Sequence, residues 1–296
     1  MSAQEIRLRA NAKLNLTLDI TGTRADGYHL MEMVNVSVDL SDVLVIRRAD
    51  PGAGVRISSN ARFLPRSEKN LVYKAAAALS EKLSVPLPDA EFDIQKHIPT
   101  QAGLGGGSAD AAAALIGLNE LFGYGLSAAE LCAAGESVGA DVPYCVVGGP
   151  ARVTGIGEIV EPVPSALDCC FVVLMPREGH STKEAFARFD AGEHFGRPDT
   201  AGMLAALAAG DPASMAMRLG NVFRTAVRDE TTERLIALLC ANGALGASMT
   251  GTGAAVFGVF PDYFAARGCK LRLFAQDVRV YTARPQKCGV KIIDMR

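Results

Sequence analysis

Apolar and polar residues alternate along the chain between positions 13 and 20. Leucine or isoleucine occupies the even positions, and Lys13, Asn15, Thr17 and Asp19 occupy the odd ones. A period of two predicts a β-strand with one apolar and one polar face. Lys13 and Asn15 therefore point the same way.

The rest of the pattern mixes strands and helices. Further strands are predicted at 34–40, at 43–46 after a turn at Ser41-Asp42, at 92–98, 170–175, 247–250 and 254–260, and finally at 278–283, with a hairpin over 151–160. Helices are predicted at 70–83, from a glycine-rich segment to about residue 122, at 126–134 with Ser127 as cap, and at 182–189, 202–209, 212–219, 231–241 and 263–274. Without strict βαβ alternation, the pattern favours α+β over a doubly wound sheet. Prolines near 162–166 predict two domains, 1–163 and 164–296.

The glycine-rich segment is Gly-Leu-Gly-Gly-Gly-Ser at 103–108, and an alanine-rich run follows it at 109–115. Glycine allows positive φ and close approach of a ligand to the backbone, and alanine is the strongest helix former. The two runs predict a glycine loop that leads into a helix N-terminus. The N–H groups and the dipole of such an end favour an anion, usually phosphate.

Two common phosphate loops do not match this segment. A P-loop places a lysine after its glycines, but no lysine lies between Lys96 and Lys183. The Rossmann fingerprint Gly-x-Gly-x-x-Gly fails at its last glycine, where this chain has Ser108. A flexible linker or a tight turn is the alternative interpretation. A linker would be polar on both sides, whereas this segment adjoins an apolar helix.

Composition excludes several classes of function. A length of 296 residues predicts about two domains, and 49% hydrophobic residues are ample for buried cores. A net charge of −2 shows no excess of basic residues of the kind that favours nucleic-acid binding, so we expect no nucleic-acid partner. Without a signal peptide or a membrane-length apolar run, we expect a cytoplasmic protein with no membrane partner. The seven cysteines lack CxxC spacing and predict free thiols, and four scattered histidines do not suggest a metal site.

Three segments of the chain, taken together and in their order, resemble a known protein family. They are Ala-Lys-Leu-Asn-Leu at 12–16 with Gly-Tyr-His at 27–29, the stretch at 99–114, and Met-Thr-Gly-Thr-Gly-Ala-Ala-Val-Phe at 249–257. Together they resemble the GHMP kinase superfamily, named after its galactose, homoserine, mevalonate and phosphomevalonate kinases. Arg-Ala-Asp-Gly-Tyr-His at 24–29 and Gly-Ala-Asp-Val-Pro at 139–143 resemble the members whose substrate carries a cytidine diphosphate moiety. The resemblance spans most of the chain and is thinner over 177–244.

The resemblance implies an N-terminal domain like domain 2 of ribosomal protein S5 and a ferredoxin-like C-terminal domain. It also implies an ATP-dependent kinase of non-mevalonate isoprenoid synthesis, which phosphorylates the 2-hydroxyl of a methylerythritol linked to cytidine diphosphate. ATP would be the phosphoryl donor, with Mg²⁺ carried by the nucleotide. The partner would be this small molecule, and the chain would be a monomer or a weak homodimer.

For catalysis, the resemblance places Asp141 as the base and Lys13 beside it. A tertiary alcohol is a poor nucleophile, so it needs a base within hydrogen-bond reach and a cation to stabilise the developing alkoxide. An ammonium next to a carboxylate also keeps that carboxylate ionised. The alternatives are that Asp141 caps a helix or turn ahead of Pro143, and that Lys13 is a solvated strand residue.

For ATP, the resemblance assigns the following residues: Pro99, Thr100, Gln101, Ala102, Gly103, Leu104, Gly105, Gly106, Gly107, Ser108 and Ala109, with Asn70, Leu71 and Lys96 near the adenosine. Ser108 could donate to a phosphate or touch Mg²⁺, or it could simply be an N-cap. Asp110 falls in the first turn of the predicted helix, where an acidic side chain commonly interacts with the positive end of the helix dipole. Asn70 could instead mark a helix start, and Lys96 an exposed strand end.

For the second substrate, the resemblance assigns Asn15, Tyr28, His29, Thr182 and Phe186. An aromatic ring can stack on a base, and an imidazole or the backbone can hydrogen-bond its edge. The alternatives are a plain turn at 27–29 and a tight hairpin turn at 250–253.

Two other functions stay open at this point. Another superfamily kinase, for homoserine or mevalonate, is one of them, and the segments at 12–15 and 28–29 argue against it. A non-catalytic nucleotide-binding protein is the other, and the presence of both Lys13 and Asp141 argues against that.

Overall fold

The computed structural model describes residues 3–176, 181–192, 196–274 and 277–296. Within this part of the chain, the strands are β1 Glu5–Thr23, β2 His29–Arg48, β3 Val55–Ser59, β4 Ala90–Gln95, β5 Ala151–Thr154, β6 Ile159–Pro162, β7 Cys170–Met175, β8 Gly220–Asn221, β9 Gly246–Met249, β10 Val256–Phe260, β11 Arg279–Ala283, β12 Pro285–Gln286 and β13 Val290–Met295. The helices are α1 Leu71–Leu83, α2 Gly106–Phe122, α3 Ala128–Glu136, α4 Val142–Val147, α5 Thr182–Ala191, α6 Thr200–Ala209, α7 Pro212–Met217, α8 Val222–Val227, α9 Glu230–Ala241 and α10 Tyr263–Leu273.

Two sheets organise the fold. In the first sheet, β1 and β2 form a long antiparallel pair within the order β13-β1-β2-β4-β3. Strands β5 and β12 also pair with β2, β6 pairs with β5, and β8 pairs with β1. The second sheet is antiparallel, with the order β11-β7-β10-β9. The α+β class predicted from the sequence is confirmed.

Strand β1 contributes to two hydrophobic cores because both of its faces are covered. Ile6 and Leu8 belong to the core that includes α1 and α2, whereas Leu14 packs with Phe171 and Phe257 of the second sheet. The register of β1 against β2 shifts between residues 11 and 12 and again between 15 and 17. The first shift inserts two residues of β2, 39 and 40, and the second inserts Leu16 of β1. The even-numbered apolar residues of β1 contribute to the second core from Ala12 to Leu16 and to the first core on either side of that stretch.

The polar face predicted for β1 is also buried. Lys13, Asn15, Thr17 and Asp19 are at most 4% exposed. The interpretation of Lys13 as a solvated strand residue is therefore wrong, because further layers of structure cover this face.

The turn expected at Ser41-Asp42 is absent, because β2 continues through both residues. Asp42 lies opposite Ala10 of β1. Its buried carboxylate accepts hydrogen bonds from the backbone N–H groups of His97 and Ile98. A polar residue can interrupt an apolar strand without breaking it when the fold satisfies its side chain in this way.

The prediction that the last strand lies at 278–283 is wrong, because β12 and β13 follow it. They pair with β2 and β1 of the first sheet, so the chain returns to that sheet near its C-terminal end. The division into two domains between residues 163 and 164 stays a prediction. Strands β12 and β13 follow residue 164 but belong to the first sheet, so they would have to be counted with the N-terminal domain.

Helix α2 is the alanine-rich helix that the sequence predicts. Its alanines are fully buried, and Gly117 lets it approach the first sheet closely. A Cβ atom at that position would lie 2.5 Å from Cδ1 of Ile46 and 2.9 Å from Cδ1 of Leu8. The predicted caps are also confirmed, since Asn70 caps α1 and Ser127 forms a capping box on α3.

Candidate active site

A cleft with a cavity volume of about 1030 Å³ is lined by both halves of the chain. The walls come from the turn before β2 and the start of β2, from the loop before α2, from Ala140 and Asp141, from the first residues of α5, and from the turn between β9 and β10. The three segments that the sequence analysis joined therefore meet in one place.

The glycine loop turns into α2 through Gly105, the N-cap residue, whose φ is 69°. No side chain caps this helix, so the N–H groups of its first turn are left for another acceptor. Ser108 lines the cleft and is the third residue of α2, so the interpretation of Ser108 as an N-cap is wrong. The loop fits a phosphate group, because free N–H groups and the positive end of the helix dipole face the cleft together.

The loop is held by a second glycine turn. Gly103 has a φ of 73°, and a Cβ atom there would lie 2.2 Å from the carbonyl oxygen of Thr250 and 3.2 Å from the Cα atom of Gly251. The Thr250 hydroxyl also donates to the Gly103 carbonyl at 3.2 Å. Only glycine permits this backbone-to-backbone contact between the loop and the turn at 250–253.

Lys13 and Asp141 lie side by side in the cleft, with 3.8 Å between Nζ and Oδ2. Only 5% of the Lys13 side chain is exposed, against 34% of the Asp141 side chain. Asp141 immediately precedes α4, but its carboxylate makes no capping hydrogen bond. The capping interpretation of Asp141 is therefore wrong, and its carboxylate faces the cleft next to a buried ammonium group.

Asn15 is placed differently from the prediction. Its side chain is fully buried and does not line the cleft. Its Oδ1 accepts from Nζ of Lys13 at 2.7 Å and from the backbone N–H of Gly251 at 2.7 Å, and its Nδ2 donates to Oδ1 of Asn35. Asn15 therefore orients the Lys13 ammonium and ties β1 to the turn at 250–253.

Lys96 is buried rather than an exposed strand end. Its Nζ donates to the carboxylates of Asp42 and Asp110, and it lies 3.3 Å from the position of a Cβ atom on Gly106. Burial raises the pKa of Asp110 to about 8, an effect that the Lys96 charge opposes and the Asp42 charge reinforces. The sequence pattern predicts a turn at Asp42 and helix-dipole complementation at Asp110, and neither expectation includes the contact of both carboxylates with Lys96.

Aromatic side chains form another part of the cleft wall. The His29 ring lies 4.9 Å from the Phe186 ring, and Phe223, which the sequence analysis missed, packs edge-on against Phe186 at 4.8 Å. The Thr182 hydroxyl lies 3.2 Å from that of Thr252. Tyr28 is 60% exposed at the mouth of the cleft. The structure thus brings together the predicted residues Tyr28, His29, Thr182 and Phe186.

The other predicted ATP residues take several positions. Gln101, Gly103, Gly105 and Ser108 line the cleft, whereas Pro99, Ala102, Leu104 and Ala109 are buried and support the loop from behind. The Asn70 side chain caps α1 and donates to the Pro65 carbonyl. The side chain of Leu71 packs close to Gly107, 3.1 Å from the position of a Cβ atom there.

Among the described residues, no group of three or more histidine, cysteine, aspartate or glutamate side chains is arranged to hold a metal ion. Two of the four histidines, His180 and His194, lie outside the described residues. No helix in the described ranges combines the length and apolarity needed to cross a membrane.

The fold and the cleft define a kinase of the GHMP class. Residues 70–149 match the family model of the GHMP kinases N terminal domain, and residues 203–276 match that of the GHMP kinases C terminal domain. The solved structure of a homoserine kinase from Cytophaga hutchinsonii shares this two-domain fold, with a TM-score of 0.77 over 98% of both chains at 21% identity.

More specific similarity lies within that class. A crystal structure of 4-(cytidine 5'-diphospho)-2C-methyl-D-erythritol kinase aligns with a TM-score of 0.79 and 27% identity over 94% of this chain and 98% of that chain. The 4-diphosphocytidyl-2-C-methyl-D-erythritol kinase of Symbiobacterium thermophilum is 44% identical over 87% of this chain and 91% of the relative. The enzyme of Lachnospira eligens is 38% identical over 94% and 98%. The chain belongs to the 4-diphosphocytidyl-2-C-methyl-D-erythritol kinase family, whose members are small-molecule kinases.

Proposed function

We propose that this chain transfers the γ-phosphoryl group of ATP to the 2-hydroxyl of 4-diphosphocytidyl-2-C-methyl-D-erythritol, in the non-mevalonate synthesis of isoprenoid precursors. The observation that carries the proposal is the Lys13–Asp141 pair, which shares one cleft with the uncapped N-terminus of α2. The pair supplies a base and a cation, and the helix end supplies N–H donors for phosphate.

In this mechanism Asp141 accepts the proton of the substrate hydroxyl, while the oxygen of that hydroxyl forms a bond to the γ-phosphorus of ATP. The bond from that phosphorus to the oxygen of ADP breaks, and ADP leaves with the electron pair. Lys13 stabilises the negative charge that develops on the attacking oxygen. Asn15 serves by holding the Lys13 ammonium in place through their 2.7 Å hydrogen bond. Most of the catalytic effect comes from positioning and charge neutralisation, as is general for phosphoryl transfer.

The ATP phosphates would lie on the glycine loop, against the N–H groups of the first turn of α2. The Ser108 hydroxyl faces the same cleft and would donate to a phosphate oxygen. Mg²⁺ would arrive with the nucleotide and neutralise phosphate charge. The adenosine would lie near Leu71, which supplies apolar contact. Asn70 and Lys96 would border it through their backbone, because the side chains of both have other partners.

The cytidine end of the substrate would lie in the aromatic part of the cleft, between Tyr28 and Phe186. His29 would hydrogen-bond the edge of the base there. Lys183 and Thr182 line the adjoining wall at the start of α5, where a cation and a hydroxyl suit the diphosphate. A cytoplasmic location and a monomeric or weakly dimeric state stay predictions.

The proposed function is tested by ADP release with three acceptors: the cytidylyl substrate, mevalonate and homoserine. We expect turnover with the cytidylyl substrate alone, and a rate lower by about 10²–10⁴-fold in the Asp141→Asn variant. Preference for mevalonate or homoserine would assign the chain to another activity of its class. Nucleotide binding without turnover of any acceptor would indicate a non-catalytic protein.

A further inference from the structure

The imidazole of His29 is held on three sides by helix α5. Its Nε2 lies 2.7 Å from Oδ1 of Asp190. The Phe186 ring lies against its face at 4.9 Å, and the Phe189 ring meets it edge-on at 6.1 Å. Only 15% of the His29 side chain stays exposed. The orientation of this ring is therefore set before a ligand arrives.

The residues that support this ring are themselves packed together. Phe186 and Asp190 are four residues apart on α5, so they project from the same face of the helix. Phe223 of α8 packs against both phenylalanine rings, at 4.8 Å from Phe186 and 6.2 Å from Phe189. His29 is the first residue of β2, so the contact with Asp190 joins two segments that are 161 residues apart in the chain.

The hydrogen-bond partner of His29 Nε2 determines whether the other ring nitrogen, Nδ1, donates or accepts a hydrogen bond. A carboxylate only accepts hydrogen bonds, so the proton of the His29–Asp190 bond lies on Nε2. In the neutral imidazole, Nδ1 then carries a lone pair and acts as an acceptor. Nδ1 is the ring nitrogen that this bond leaves for a ligand, and His29 lines the cleft.

We propose that Asp190 sets the base specificity of the cleft, because it holds His29 in the form in which Nδ1 accepts a hydrogen bond from the 4-amino group of cytosine. This inference rests on the proposed function, which puts the cytidine end of the substrate beside Tyr28 and His29. Asp190 does not touch the base. It is a positioning residue that acts through His29.

The form of the imidazole matters because cytosine and uracil differ at position 4. Cytosine has an amino group there, which donates, and uracil has a carbonyl oxygen, which accepts. A uracil in the same pose would place two acceptors against each other. An unpaired buried polar group weakens binding by a factor of about ten to 100. Without Asp190, the imidazole can carry its proton on Nδ1 and donate to the uracil oxygen, so the discrimination is lost.

The first test reads the proton position directly. Imidazole ¹⁵N chemical shifts separate protonated from unprotonated nitrogens, and the chain has four histidines, so a His29→Gln variant assigns the signal. We expect the Nε2–H form in the wild type and a mixture of both forms in Asp190→Ala. A wild-type His29 with its proton on Nδ1, or on both nitrogens, overturns the proposal.

The second test measures binding of CDP and UDP by calorimetry, with a non-hydrolysable ATP analogue filling the nucleotide site. We expect the wild type to prefer CDP by about tenfold or more. Asp190→Ala should lose most of that preference, chiefly because UDP binds more tightly once the imidazole can donate to the uracil oxygen, while the CDP affinity falls only modestly. Asp190→Glu keeps a carboxylate at a position that is 56% exposed, and it should restore the preference. The matched control is Glu184→Ala, which removes a carboxylate from the first turn of the same helix and should leave the ratio unchanged.

The outcomes separate this inference from the proposed function. A wild type that releases no ADP with the cytidylyl substrate overturns the proposed function and this inference with it. Normal turnover together with an unchanged CDP-to-UDP ratio in Asp190→Ala overturns the inference alone. So does an equal loss of CDP and UDP affinity, which would indicate a purely structural role for Asp190.

Discussion

Replacing Asp141 by asparagine tests the catalytic geometry most directly. Asparagine keeps the size of the side chain but cannot accept a proton at neutral pH. Loss of a positioned general base lowers a rate by about 10²–10⁴-fold, which corresponds to about 3–5 kcal/mol in the activation free energy. We therefore expect kcat to fall by that factor. The KM values for both substrates should change little, because Asp141 acts mainly in the transition state.

The same substitution should cost little stability. Two opposite charges about 4 Å apart attract by about 4 kcal/mol at an effective dielectric constant of about 20. The 3.8 Å pair with Lys13 falls well short of that value, because a third of the Asp141 side chain reaches solvent and exposed pairs contribute about 1 kcal/mol or less. Lys13 also keeps its hydrogen bond to Asn15. A shift of only a few degrees in Tm is the expected result.

Rapid-quench measurement of a single turnover, with calorimetry for both substrates, separates chemistry from binding. Asp168→Asn is a suitable control, because it removes an exposed carboxylate outside the cleft. A kcat of Asp141→Asn within about fivefold of the wild type, well below the loss expected for a general base, would refute the base role. A large drop in Tm would show that the pair is structural instead.

Three further predictions concern the glycine loop, the mouth of the cleft and the buried Asp110 carboxyl group. Gly103→Ala places a Cβ atom 2.2 Å from the Thr250 carbonyl oxygen, so ATP affinity measured by calorimetry should fall by roughly tenfold or more. Gly52 has a similar positive φ, 83° against 73°, but open space around it, so an equal effect of Gly52→Ala would point to backbone strain alone. Tyr28→Ala should weaken the cytidylyl substrate by about five- to 150-fold through loss of a base stack and leave ATP binding unchanged; equal loss of both ligands would contradict this. The folded Asp110 carboxyl has its pKa raised to about 8, so it holds a proton that the unfolded chain has released. The free energy of unfolding should then fall as pH rises from about 4 to 8, and urea titrations of Asp110→Asn should show a flatter profile, whereas an unchanged slope would exclude this contribution.

Local signals made much of this molecule predictable. Asn70 ahead of an alanine-rich stretch, and Ser127 three residues before Glu130, identify helix starts through side chains that bond the adjacent backbone. The glycine loop predicts an anion site because several glycines precede an apolar helix, and that site stays a prediction. These features depend on residues close together in the sequence.

The parts that escaped prediction depend on distant residues. Nothing near Asp42 in the sequence shows that Lys96 will neutralise it, so its place in β2 resembled a turn. Asn15 was expected to touch substrate, but its partners at 35 and 251 come from elements whose proximity only the fold reveals. His29 could be named from its motif, yet its orientation depends on Asp190, far along the chain.

The pairing of β1 with β13 has a consequence for how the protein is made. Nearly all of the described chain separates the two strands, so a nascent polypeptide carries β1 with one edge unoccupied while the intervening segments emerge from the ribosome. An unpaired edge is a template on which other chains can add strands, and β1 carries the buried residues Ile6 and Leu8 at that edge. Synthesis that stalls before residue 290 would leave this edge open, which makes prompt completion of translation a safeguard against aggregation.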